Sequence, residues 1–263
     1  MIDLHAHILP GIDDGARDMG MSVEMLEIAA RDGITDIIVT PHFIHGDIDN
    51  TAEIVKQELE KLIAGSGDKN PGINLYPGSE VFISPEVPAL LKEGKIQTLN
   101  DSRYVLIELP MTMVPEYTEE VLYEVRLLGY TPVIAHPERN MMLGRKPELL
   151  KKFVEQGALA QVNATSITGL YGKRITKIAM KMIAGGWVHF VCSDTHSCRG
   201  RAPKLSAAKE RIARKFGGER AQALFETNGR SVIDNGEVQR FESKSTRARG
   251  WLWIPGLKKL LES

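Results

Sequence analysis

One recurring phrase constrains the fold of this chain: an amphipathic run, a glycine, then a short apolar run rich in valine and isoleucine. Met19, Val23, Leu26 and Ala30 keep near-helical spacing, Gly33 follows, and ITDIIVTPH comes next. The phrase returns as TEEVLYEVRLLG before YTPVIAHPE, KPELLKKFVEQG before ALAQVNA, and KIAMKMIAGG before WVHFVCSD. A glycine just past a helix permits the left-handed conformation that closes it. Short Val/Ile runs suit parallel strands buried on both faces. Seven strands are therefore expected, near 2–5, 35–41, 73–80, 104–109, 131–136, 159–163 and 188–194. Helical patterns fall at 18–32, 50–64, 85–93, 115–129, 146–156 and 172–184, with another over 203–226. In the second of these, Asn50 and Glu53 resemble a capping box. Strand–helix alternation argues for parallel strands with crossover helices. A closed or nearly closed α/β barrel in a single domain fits 263 residues better than two domains do.

Composition narrows the function. The formal net charge is −1, so the bulk chain offers no argument for nucleic-acid binding. Two cysteines six positions apart make no disulfide framework and suit a reducing cytosol. The opening MIDLHAHILPGIDDG lacks the basic and apolar regions of a signal peptide. No run approaches the ~18 apolar residues of a membrane span. A cytoplasmic protein is expected. Residues 1–240 read as the domain, and 241–263 as a basic tail carrying Trp251 and Trp253. The tail reads as docked or frayed chain, with a partner or membrane surface as the alternative.

The metal-type residues gather at strand ends. His5 and His7 follow the first strand, two apart, with Asp14 in the GIDDG turn beyond. His42 follows the second strand, Glu80 ends the third, Glu108 is near the end of the fourth and His136 ends the fifth. Asp194 and His196 end the seventh. In a parallel barrel these ends share one face, where active sites are built. Five of the seven histidines lie there. The other two read differently: His189 has the opposite strand parity to Asp194 and is expected to be a packing or surface residue, and His45 sits in a loop. Nine candidate ligands exceed one ion's needs, so two or three ions sharing carboxylates are expected. Imidazole and carboxylate without thiolate suit manganese, iron or zinc.

LHAH, TPH at 40–42, Glu80, Glu108, HPE at 136–138 and SDTH at 193–196 resemble the polymerase-and-histidinol-phosphatase (PHP) superfamily. HILPGIDDGARD, TPHF, GSEVFI, IELP, IAHPERN and CSDTHSCRGRAP are similar to its manganese-dependent tyrosine phosphatases of bacterial capsule and exopolysaccharide loci. The resemblance covers about residues 1 to 235. It implies a distorted (β/α)7 barrel and three divalent ions, manganese foremost, with iron, zinc, cobalt or magnesium as alternatives. His5, His7, Glu80 and Asp194 would hold one ion. Glu80, Glu108 and His136 would hold a second, and Asp14, His42 and His196 the third. Asp13 rivals Asp14. Arg139 and Arg201 would bind phosphate, with Arg199 competing because the chain reads RAP rather than RPP after it.

The expected chemistry is in-line attack on phosphotyrosine by a metal-bound hydroxide. A phenolate, with a free pKa of about 10, leaves readily; His42 or a metal-bound water could protonate it. The implied substrate is the phosphotyrosine-rich tail of a bacterial tyrosine kinase controlling polysaccharide export. The alternatives are another PHP phosphomonoesterase, such as a histidinol-phosphate phosphatase, a nuclease or proofreading module, or a non-catalytic regulatory domain. Neither cysteine stands at the CX5R spacing of a thiol phosphatase, so Cys192 and Cys198 are expected to be dispensable for chemistry.

Overall fold

Every expected apolar run becomes a strand of one curled parallel wall. In chain order the strands are β1 (Ile2–Ala6), β2 (Asp36–Val39), β3 (His42–Phe43), β4 (Asn74–Pro77), β5 (Glu80–Phe82), β6 (Tyr104–Glu108), β7 (Thr131–Ile134), β8 (Leu159–Asn163) and β9 (Phe190–Cys192). The computed structural model describes residues 1–67 and 71–241, so nearly all of the expected tail over 241–263 lies outside the described residues. Hydrogen bonding orders the strands β1-β2-β4 and β3-β5-β6-β7-β8-β9. These two groups are parts of one wall. Asp36 pairs with Asn74 and His42 with Glu80, a constant offset on both sides of a break at Thr40 and Pro41. Proline supplies no N–H to a ladder, so the second and third strands each split in two. The ring closes where Ala6 bridges Thr195, with His7 N donating to Thr195 O at 3.0 Å and Asp194 N to His5 O at 2.9 Å. The architecture is the distorted seven-stranded α/β barrel.

Helices pack outside this wall: α1 (Met19–Arg31), α2 (Ala52–Ser66), α3 (Val87–Lys92), α4 (Thr118–Leu127), α5 (Met141–Arg145), α6 (Glu148–Glu155), α7 (Ala164–Thr168), α8 (Gly172–Ala184), α9 (Ser206–Phe216), α10 (Gly218–Gln222) and α11 (Asn228–Ile233), with a π-helical turn at Ala223–Thr227. Gly157, at φ 108°, closes α6 as the glycine grammar requires. Two expectations need correction. The helix read over 203–226 is interrupted at Gly217, whose φ of 97° no continuous helix accepts. The cap of α2 is Thr51, whose hydroxyl accepts from Ile54 N. Asn50 instead donates its Nδ2 to Ile12 O and His42 O, at 3.0 Å each, and ties two site loops together.

The apolar residues form two layers. Ile37, Val39, Val105, Ile107, Ile134, Ala160, Val162 and Val191 pack with the surrounding helices, among them Val121 and Val125 of α4. The alternate positions Ile38, Leu106, Val133, Leu159, Phe190 and Cys192 form a second cluster with Ile2, Leu4 and α11. Successive side chains on a strand face opposite ways, so these residues fill the barrel interior. The same parity continued upward reaches His42, Glu108, Asn163 and Asp194. An apolar plug thus underlies a polar mouth.

Candidate metal centre

The polar mouth assembles from seven strand ends. His5 and His7 enter where the β1–β2 register shifts between Asp3 and Ala6. Asp194 at φ 52° and His136 at φ 29° both adopt left-handed backbone, which bends each off its strand. Such strain in non-glycine residues is kept where surrounding contacts enforce it. Gly15 allows the GIDDG turn to press against β1, since a Cβ there would lie 2.2 Å from His7 O.

Eight of the nine expected residues meet in three groups of donor atoms. His5, His7, Glu80 and Asp194 form one; His7, Asp14, His42 and His196 another; His42, Glu80 and Glu108 a third, with donors in each group within 4.8 Å of one another. His136 joins through Nε2, 2.8 Å from Glu80 Oε1 and 3.6 Å from Glu108 Oε1. Glu80 is central: its Oε2 lies 3.2 Å from His5 Nε2, 3.1 Å from His7 Nε2 and 3.2 Å from His42 Nδ1. Glu80, Asp194, His5 and His7 are all buried.

Electrostatics follow from the crowding. Burial alone would raise the Glu80 carboxyl, but His5, His136 and His7 outweigh it and hold it well below the usual range. Glu108 goes the other way, raised by burial and by the Glu80 charge. Burial would lower His136, yet its bond to Glu80 wins and lifts its pKa to about 9. These shifts describe a site that holds opposite charges at close range. His5 Nε2 and His7 Nε2 face each other at 3.1 Å, and His42 Nδ1 is buried with no hydrogen-bond partner among the described residues. Imidazole nitrogens and carboxylate oxygens pointing at shared points suit divalent cations, so the donor set fits metal ions.

Ambiguities left by the sequence separate in space. Asp14 Oδ1 reaches His196 Nε2 at 3.2 Å and His42 Nε2 at 3.4 Å. Asp13 lies behind: its Oδ2 takes His7 Nδ1 at 2.7 Å and His42 N at 3.1 Å. A carboxylate on the far nitrogen of a ligating histidine fixes its tautomer and ring angle. Arg139 and Arg201 both reach Asp194, at 2.9 and 2.7 Å, whereas Arg199 is exposed and makes no ion pair among the described residues. His45 is exposed beside Asp49, and His189 is buried. Cys192 is a fully buried interior residue whose thiol burial pushes well up, and burial with Glu24 lifts Cys198 to about 11. Neither supplies a thiolate near neutral pH.

Four supporting residues escaped sequence reasoning. Asn163 Nδ2 donates to Asp194 Oδ2 at 2.6 Å, and Gln161 Nε2 to Asn163 Oδ1 at 2.9 Å. Gln161 Oε1 accepts from His136 N and lies 3.2 Å from His5 Nδ1. Buried Glu138 accepts from Asn163 N and Ser166 Oγ. The Tyr171 ring lies 5.0 Å from the Arg139 guanidinium carbon. The alternating polar residues of LAQVN, in an otherwise apolar strand, are the signal for the first two.

The chain is similar to proteins already known. The family described as capsular polysaccharide synthesis, CpsB/CapC, matches residues 1–234. A putative tyrosine-protein phosphatase CapC from Staphylococcus aureus is 36% identical, over 91% of this chain and 94% of its own. The tyrosine-protein phosphatase YwqE from Bacillus subtilis is 36% identical over 95% of this chain and 98% of its own. A crystal structure from work on YwqE of Bacillus subtilis and CpsB of Streptococcus pneumoniae, described as metal-dependent tyrosine phosphatases, superposes with a TM-score of 0.89 at 36% identity, covering 92% of this chain and 98% of that one. Dihydropyrimidinase from Brevibacillus agri, at 12% identity and a TM-score of 0.50, shares the fold alone.

Proposed function

The chain belongs to the CpsB/CapC family of capsular polysaccharide synthesis, and from that premise we propose that it is a metal-dependent protein-tyrosine phosphatase. The observation that carries this reading is the set of three donor groups, each within 4.8 Å, with two arginines on the shared Asp194. We assign three divalent ions, manganese foremost. His5, His7, Glu80 and Asp194 would hold one; Glu80 and Glu108, with His136 2.8 Å from the first and 3.6 Å from the second, another; Asp14, His42 and His196 the third. Ions bound there supply Lewis acidity and activate water for attack on phosphorus.

The chain's own residues do the rest. Arg139 and Arg201 are part-exposed, so a phosphate dianion can reach both. Planar guanidinium groups match phosphate oxygens and stabilise the charge that spreads over them. Asp13 and Gln161 hold the His7 and His5 rings, and Asn163 holds Asp194, so the site is arranged before substrate arrives. His42 has Nε2 3.4 Å from Asp14 Oδ1 and Nδ1 3.2 Å from Glu80 Oε2, so its place is with the metal donors, and the departing phenolate takes its proton from solvent. The substrate is a phosphotyrosine protein, the tail of a bacterial tyrosine kinase of polysaccharide export, met in the cytoplasm. The two free cysteines suit that compartment.

Metal analysis of the purified protein, beside activity before and after chelation, tests the reading. Turnover of phosphotyrosine peptide should disappear with chelator, return with manganese, and exceed turnover of histidinol phosphate. Chelator-resistant turnover, or a preference for histidinol phosphate, would overturn it.

A further inference from the structure

A groove of about 1040 Å³ runs between α8 and α9, outside the donor groups. Its lining includes Lys173, Lys177, Lys181, Arg211, Arg214 and Lys215, and no carboxylate. The three lysines recur every fourth residue of α8, so they form one exposed row about 12 Å long at ~1.5 Å per residue. None of the three is paired with a carboxylate among the described residues. On the facing helix, Arg214 has only the exposed Glu210, at 3.7 Å, among the described residues, and Arg211 donates to Ile167 O at 2.6 Å. Like charges at this spacing repel along a helix face. A polyanion laid in the groove would relieve that repulsion.

The groove is joined to the metal centre by a single turn. Its near end is formed by Thr168, Gly169 and Gly172. Between those glycines sits Tyr171, stacked against Arg139, which in turn reaches Asp194 at 2.9 Å. A chain leaving the metal centre past Arg139 crosses this turn and meets the lysine row. Extended peptide advances about 3.3 Å per residue, so the row spans roughly four residues.

We propose that this groove is a subsite for acidic or phosphorylated residues flanking the target phosphotyrosine on the same substrate chain; the proposal rests on the phosphatase reading above. The chemistry of the lining favours a peptide. No aromatic side chain lines the groove for base stacking, which single-stranded nucleic acid would use. No exposed tryptophan, phenylalanine or leucine lines it to enter a bilayer.

The test compares wild type with the triple variant Lys173→Gln, Lys177→Gln, Lys181→Gln, all at exposed positions. Three substrates are used: p-nitrophenyl phosphate, a phosphotyrosine peptide flanked by glutamates, and the same peptide with glutamines. Wild type should prefer the glutamate peptide by about tenfold in kcat/KM, chiefly through KM, as charge complementarity predicts. The preference should shrink as salt shortens the screening length. The triple variant should lose it while turning over p-nitrophenyl phosphate as wild type does. Equal use of both peptides by wild type, or a preference surviving in the variant, would overturn the subsite. So would loss of binding to phosphatidylserine vesicles in the variant with peptide preference intact, since the groove would then face a membrane. Failure of metal-loaded wild type on all three substrates would instead defeat the phosphatase reading, and the subsite with it.

Discussion

Asn163 is uncharged, yet it controls the orientation of Asp194, the carboxylate that both arginines reach. Its Nδ2 holds Asp194 Oδ2 at 2.6 Å, while Asp194 Oδ1 faces His5, His7 and Arg201. One oxygen is thus tied down and the other directed inward. Asn163→Ala removes the tether without changing charge, and kcat/KM should fall by about 10- to 100-fold, the usual cost of losing such a partner. Bound metal per chain, measured by elemental analysis, should fall in parallel. A variant with full metal content and wild-type turnover would show that Asp194 needs no tether. Asn163 also explains what the sequence could and could not reveal. The nine donors were legible because imidazoles and carboxylates stood out at the ends of apolar runs. The amides of Gln161 and Asn163 carry no charge, and only their alternation in LAQVN marked them. Asp13 and Asp14 were inseparable by sequence, because neighbours in a tight turn diverge only once the turn is folded against His7.

β9 shows the same contrast at the scale of an element. His189 precedes this strand and is 1% exposed, with its Nδ1 accepting from Ala160 N of β8 and its Nε2 without a partner among the described residues. Burial lowers its pKa to about 3, so the folded ring stays neutral. In the unfolded chain it protonates below about 6.5. The unfolded state therefore takes up the extra proton, and the stability present above pH 6.5 drains as pH falls toward 3. Between pH 7 and 5 this coupling amounts to about 2 kcal/mol. Urea unfolding at the two pH values should show wild type losing about that much more than His189→Gln. Equal losses would mean that the ring is already solvated in the folded chain. Strand parity turned His189 away from the donors but left packing and surface open, and the strand-to-strand bond to Ala160 requires the fold. Elements were readable where one periodicity ran uninterrupted, as in α8. They misled where a local device intervened: Pro41 divided a strand, Gly217 broke a helix, and Thr51 took the cap assigned to Asn50.

For the molecule as a whole, the mouth joins residues from the beginning and the end of the barrel. Donors come from β1, β3, β5 and β6 and from the ends of β7 and β9, so ions held there would link the circumference across the seam where Ala6 meets Thr195. Among the described residues no helix is long and apolar enough to cross a membrane. The apolar plug supplies the floor. At the top, buried Glu80 and Asp194 depend on cations nearby. A ligand that binds only the folded state adds about 2.7 kcal/mol at a hundredfold excess over its dissociation constant. In a domain of this size that amounts to roughly 5–10 °C in Tm. Manganese should therefore raise Tm by about that margin over chelator-treated protein, with the gain growing logarithmically with concentration. Asp194→Asn should lose most of the increment, because it weakens the donor group nearest the seam. If manganese left the wild-type Tm unchanged at every concentration, the ions would not be tied to barrel closure, and the mouth would be a polar site that folds complete without them.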